Sequence, residues 1–343
     1  MMTYLQKYLL LSFAIIAMLL LSGQSQVQAL EQVPMGIHIL TPEELVSARE
    51  LTRVSETDER WTYVTIPFTL NDVGQHERWQ AFFDEAKAQR VIPLVRLATR
   101  VEDSHWMVPN YHDIVSQISF LSSLNWPTDQ KHIMVFNEVN HAKEWGGRID
   151  PAEYTRIFMF TSQWAHSEQK NYVVLPAAMD LAAPNGSETK EAFAYLDEMH
   201  ATDKSVFDHV DAWNSHSYPN PGFASSPQRT QKNSLRGFEH ELAYLKGKTD
   251  TDFKVYITET GWEVDYGLQR WLPSYYTYAL QHVWSHPQVV AVTPFLLKGT
   301  PGPFAGFSFL TEDNQPTPQY QAYRQAISKV YEELDAAQLS QTQ

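Results

Sequence analysis

No cysteine occurs among the 343 residues. That excludes disulfides, thiolate metal sites, thiol nucleophiles and the lipid-bearing cysteine of a bacterial lipoprotein. Positive charge is scarce as well: 26 Lys and Arg stand against 40 Asp and Glu, a formal charge of −14. No basic block reverses this locally, so the surface repels phosphate backbones and anionic lipid, and nucleic acid is not expected as a partner. Residues 30–335 contain no Gly/Ser-rich linker, charge block or low-complexity tract, which points to one domain. His-Glu-x-x-His is absent, and His38 lacks the second histidine of a His-x-His pair, so no metal or other cofactor is expected.

What is present begins with an export signal. Lys7 precedes an uncharged apolar run from Tyr8 to Leu21, then polar Ser22–Gln26 and a Val27-Gln28-Ala29 cleavage pattern. The run falls short of the ~20 residues a membrane span needs, so residues 1–29 read as a cleaved signal peptide rather than an anchor. The mature chain would start near Leu30, be secreted or extracytoplasmic, and keep no stable membrane association. Its composition, 43% hydrophobic and 13% aromatic, builds a large core and excludes disorder. Nothing in the pattern specifies an oligomer.

From residue 30 short β-branched or aromatic runs alternate with helical patterns, the signature of a parallel sheet of βα units. Strands are expected at Gly36–Leu40, Trp61–Phe68, Val91–Ala98, His132–Asn137, Tyr172–Ala178, Val210–Ser215, Lys254–Thr258 and Val289–Leu296. Most are continuous apolar runs, as strands covered on both faces should be. Helix starts are written as Thr41-Pro42-Glu43-Glu44 and Asp150-Pro151-Ala152-Glu153, each a cap, a proline and first-turn acids. Eight units in unbroken series predict an α/β chain folded as a single-domain (β/α)₈ TIM barrel over residues 30–335, with a frayed tail at 336–343.

In such a barrel the chemistry sits at the carboxyl ends of the strands. The fourth runs His132-Ile133-Met134-Val135-Phe136 into Asn137-Glu138, and the seventh runs Val255-Tyr256-Ile257-Thr258 into Glu259. Either glutamate alone could be a loop acid or half of an ion pair. Together, on strands facing across the barrel mouth, they converge on one ligand. Two carboxyls about 5–5.5 Å apart are what a retaining glycosidase needs.

At these residues the chain resembles the retaining glycoside hydrolases of the (β/α)₈ clan A, which carry Asn-Glu at the end of strand four and a Glu at the end of strand seven. The resemblance implies Glu138 as acid/base, Asn137 as the partner of the sugar 2-hydroxyl, and Glu259 as nucleophile. In Trp213-Asn214-Ser215-His216-Ser217-Tyr218 it implies that Tyr218 donates to Glu259 and that His216 meets substrate or the acid/base. Arg96, ending strand three, is a candidate partner of nucleophile or sugar, or else a salt-bridging residue in the barrel mouth. Sugar faces stack on aromatics, so Trp145, just past Glu138, and Trp262, just past Glu259, are expected as platforms, with Tyr266 and Trp271 on the same loop. The expected partner is a polysaccharide or oligosaccharide. Two other readings stay open: a non-catalytic carbohydrate-binding barrel, and a barrel enzyme of another class, such as a Schiff-base aldolase using Lys298.

Overall fold

The computed structural model describes residues 35–341, apart from 56, 169, 170, 265 and 266. The expected signal peptide and Tyr266 therefore lie outside the described residues. Eight parallel strands appear in the expected order: β1 Gly36–His38, β2 Thr62–Phe68, β3 Val91–Leu97, β4 Lys131–Val135, β5 Tyr172–Pro176, β6 Trp213–Ser215, β7 Val255–Ile257 and β8 Val289–Val292. Each is followed by a helix: α1 Leu45–Thr52, α2 His76–Gln89, α3 Tyr111–Ser123, α4 Pro151–Ser167, α5 Ala192–Thr202, α6 Gly237–Leu245, α7 Leu272–His282 and α8 Pro318–Gln341. The last helix runs to Gln341, into the segment 336–343 expected as a frayed tail. Among the described residues no helix is long and apolar enough to cross a membrane.

β1 to β5 form one sheet and β6 to β8 another. A parallel bridge from Met35 to Val292 joins β1 to β8, and His38 donates its amide to Pro294 across the same seam. At the β5/β6 seam the main chain pairs only at Asp180–His216 and through the Asp211 amide to Val174. Side chains complete it: Asn214 Nδ2 donates to the Pro176 carbonyl at 3.0 Å, and Asp211 Oδ2 accepts from the Val174 amide at 2.7 Å. With both seams joined, the ring closes.

The core has two parts. Tyr63, Leu94, Met134, Leu175, Ala212, Tyr256 and Ala291 fill the barrel interior, while a larger cluster lies between strands and helices. The two-residue period of a strand then fixes what stands above the interior layer. Two residues beyond Leu94 comes Arg96, and two steps of two beyond Ala212 comes His216. Gly36 is required where it stands, because a Cβ there would lie 2.2 Å from the Tyr63 carbonyl oxygen.

The helices follow their sequence signals with one exception. Asp150 caps α4 by accepting from the Glu153 amide at 2.8 Å, Pro151 opens the helix, and Tyr154, Ile157, Phe158, Thr161 and Ala165 bury one face. Thr41 makes no side-chain cap; Glu44 instead accepts from the Leu40 amide at 3.1 Å. One element is unannounced by the strand pattern. Val101–Glu102 and His105–Trp106 form a hairpin whose two loop residues, Asp103 and Ser104, both have positive φ, as a type I′ turn demands. It swings Trp106 to the barrel mouth.

Candidate active site

A cavity of about 670 Å³ opens at the carboxyl ends of the strands, well within the range of small-molecule sites. Arg96, Asn137, Glu138, Tyr218 and Glu259 line it. After β4 the chain turns through positive φ at Phe136 (73°) and at Glu138 (32°). Non-glycine residues enter this region at a cost of about 1–3 kcal/mol, which the fold must outweigh. Here the Glu138 amide is held by the Ala178 carbonyl of the neighbouring strand and its carbonyl by the His141 amide. The turn delivers Asn137 and Glu138 into the mouth.

Glu259 is the better-anchored of the two carboxyls. Arg96 Nη1 lies 2.6 Å from its Oε1 and 2.7 Å from Asn137 Oδ1, so one guanidinium ties together the ends of β4 and β7. The Tyr218 hydroxyl donates to Oε2 at 3.2 Å. Burial by itself would raise the Glu259 pKa, but the surrounding positive charge of His216 and Arg96 and the Arg96 hydrogen bond bring it down to about 2. His38 Nδ1 stands 3.5 Å from Oε1, yet burial lowers that histidine to about 3, so near neutral pH it is an uncharged wall, not a counter-ion.

His216 sits between the carboxyls. Its Nδ1 is 3.0 Å from Glu138 Oε1 and 3.6 Å from Glu259 Oε2. Burial lowers its pKa, but the field of Glu259 and the hydrogen bond to Glu138 outweigh that, and the net shift is upward. The Glu138 carboxyl thus meets an imidazole at the end of its apolar strand. One atom each of Glu138, His216 and Glu259 lie within 4.8 Å of one another. Three such donors could in principle hold a cation. A metal-binding imidazole must be neutral, however, and Arg96 already occupies Glu259, so the donors are spent on one another.

The structure thus brings together Arg96, Asn137, Glu138, His216, Tyr218 and Glu259. It does not bring Trp145 or Trp262 to the cavity. Trp145 is buried against Phe136 and Tyr154, and its Nε1 donates to Glu153 at 3.0 Å. Trp262 is buried against Tyr276, with Nε1 on the Ser225 carbonyl at 2.9 Å. Both indoles serve the packing of the loops that carry the glutamates. Trp145→Ala is therefore expected to lower stability by about 3–5 kcal/mol, read as a shift in denaturant midpoint, and to affect short and long substrates equally.

The aromatic surface of the cavity comes from residues that strand-end reasoning passes over: Trp106 on one side, and Phe223, Phe295, Phe304 and Phe307 on the loops after β6 and β8. His141, Asp180 and Glu144 are among the further polar groups that line it. His141 Nε2 pairs with Asp180 Oδ2 at 2.9 Å, while Asp180 Oδ1 caps the Ala182 amide, so Asp180 both caps its loop and faces the cavity. Glu144 has its pKa raised by burial and by the field of Glu138. Its signal was adjacency: it immediately precedes Trp145, and the indole of that pair attracts the functional reading. Lys298 reaches Asn314 and does not line the cavity, so it is not placed to serve as a Schiff-base lysine.

A family model described as glycosyl hydrolase catalytic core matches residues 96–323. No curated protein sequence matches the chain. Among solved structures, a family 39 β-xylosidase from Caulobacter crescentus is 16% identical with a TM-score of 0.59, over 85% of this chain and 70% of that one. An endo-β-1,4-glucanase from Xanthomonas axonopodis pv. citri is 11% identical with a TM-score of 0.54, over 86% and 99%. Xylanase 10B from Thermotoga petrophila is 12% identical with a TM-score of 0.54, over 89% and 96%. At such identities the likeness speaks for the fold.

Proposed function

The chain belongs to the glycosyl hydrolase catalytic core family, and from that premise we propose that it is a secreted, metal-independent retaining β-glycosidase of polysaccharides or oligosaccharides. The observation that carries the retaining reading is that one carboxylate oxygen of Glu138 lies within 4.8 Å of one of Glu259. An inverting enzyme keeps its pair about 6.5–9.5 Å apart to seat a water between them. Secretion rests on the signal pattern of residues 1–29.

In the first step Glu259 Oε attacks the anomeric carbon, the glycosidic C–O bond breaks, and Glu138 gives its proton to the leaving oxygen. His216, whose Nδ1 lies 3.0 Å from Glu138 Oε1, holds that carboxyl in place, and the proton Glu138 gives up returns from water in the second step. In the second step Glu138 takes a proton from water as it attacks the same carbon, and Glu259 leaves as a carboxylate. Asn137, oriented by Arg96, is placed to meet the 2-hydroxyl. The phenylalanines and Trp106 offer flat apolar faces to sugar rings.

The test is the anomeric configuration of the first-formed product, followed by NMR during hydrolysis of β-linked glucans, xylans and mannans; inversion would reject the mechanism. The same enzyme preparation gives the pH profile. Activity needs Glu259 ionised, and its pKa is depressed, so the acid limb of kcat/KM is expected below the ordinary carboxylate value of about 4.3. Activity also needs a proton on the Glu138–His216 pair, and His216 is raised, so the alkaline limb is expected above about 6.5. Limbs displaced the opposite way would contradict both assignments.

A further inference from the structure

Behind the site lies a carboxyl that the reaction does not use. Glu241, on the inward face of α6, is completely buried. Its Oε2 accepts from the Ser215 hydroxyl at 2.5 Å, and Ser215 Oγ is 2.8 Å from Ser217 Oγ. Ser217 is fixed in turn: its Oγ accepts from the Phe238 amide at 2.9 Å, and its carbonyl accepts from the Thr260 hydroxyl at 2.7 Å. The other Glu241 oxygen, Oε1, has no hydrogen-bond partner. Ser215 and Ser217 flank His216 in the chain, so their side chains point to α6 while the imidazole points into the barrel mouth. A buried acid and two hydroxyls thus grip the histidine that separates the two site glutamates.

We infer that Glu241 is a positioning residue, which holds His216 against Glu138 and Glu259 through Ser215 and Ser217 and adjusts the charge of that imidazole by its own ionisation. A carboxyl shut away from water resists ionisation unless it is paired, and Glu241 meets the Ser215 hydroxyl and the Trp213 indole, both neutral donors. Burial raises it to about 7, with the Ser215 hydroxyl, the Trp213 indole and the His216 charge pulling the other way. Glu239 and Lys246 belong to the same helix region, yet among the described residues His216 on β6 is the charged group acting on Glu241. The pair is therefore linked: loss of the Glu241 proton favours retention of the His216 proton, and the reverse. The inference rests on the glycosidase reading only for its catalytic consequence.

The experiment follows the His216 ring by heteronuclear NMR across pH 4–9 in the intact wild type, Glu241→Gln and Ser215→Ala, alongside kcat/KM profiles. Gln keeps an acceptor for Ser215 and cannot ionise, so the variant should lose the Glu241-linked inflection and lower the His216 pKa. Ser215→Ala removes the hydroxyl that bonds the acid at 2.5 Å and should move that inflection to higher pH. The alkaline limb of kcat/KM should move with His216 in each variant. Identical His216 titrations in all three proteins would overturn the inference, whether or not any glycoside is turned over. Loss of activity in Glu241→Gln with an unaltered His216 titration would reduce Glu241 to a packing residue. Normal linkage in an enzyme that hydrolyses nothing would strike the glycosidase reading alone.

Discussion

Glu259→Gln is expected to lower glycoside hydrolysis by about 10⁵-fold or more, equivalent to about 7 kcal/mol of transition-state stabilisation, while the protein stays folded. An amide cannot form the glycosyl ester, and Glu138, the other carboxyl at the site, serves the leaving oxygen rather than the anomeric carbon. Arg96 keeps its bond to Asn137 at 2.7 Å, so the guanidinium is not stranded and the mouth should hold its shape. A 2-fluoro glycoside with a good leaving group should esterify Glu259 in the wild type, and peptide mass spectrometry locates the ester. A label on Glu138, Glu144 or Glu263 instead would overturn the assignment.

Glu138→Ala separates the acid from the nucleophile. Natural substrates, whose alkoxide leaves only when protonated, should lose about 10²–10⁴-fold, whereas glycosides of acidic phenols should still load the enzyme. The ester then persists, since no base remains to activate water. Azide, small and anionic, should enter the space vacated by the carboxylate and restore turnover. The alanine variant leaves His216 with Glu259, 3.6 Å from its Nδ1, as the carboxylate nearest to it, which should keep the nucleophile ionised. The glycosyl azide should have the configuration of the starting glycoside. Failure of rescue, or an inverted azide, would reject the acid/base role.

The barrel is legible in the sequence because its strands are two-sided apolar runs and its helices are amphipathic, and the two patterns alternate eight times. The carboxyl pair is legible for a related reason: Glu138 and Glu259 interrupt those runs at the end where a barrel keeps its chemistry. Arg96 and His216 follow from strand parity, counted from Leu94 and Ala212. The aromatic walls are not legible in this way. Trp145 and Phe304 lie on loops without a repeating pattern, and only tertiary packing decides that the first is buried and the second half-exposed. Trp106 depends on a two-residue turn, Asp103-Ser104, that any surface loop might contain. Glu241 reads as one more acid on an amphipathic helix, since nothing in a single sequence marks the inward face as the one that meets Ser215.

The seam between β5 and β6 gives the molecule a line of compliance. Elsewhere in the five-stranded half, neighbours are zipped by main-chain ladders, such as the seven paired residues of β2 and β3, which open only cooperatively. Between β5 and β6 the Asn214 amide and the Asp211 carboxylate stand in for missing rungs, and a side-chain bond can yield by itself through rotation about its own χ angles. His216 and Asp180 face each other across that line, so the part of the ring most able to dilate is also the part that carries the wall of the cavity. Arg96, on β3, reaches over that line to Asn137 after β4 and Glu259 after β7, so the ends of β4 and β7, one strand out on either side of the seam, stay tied to one guanidinium.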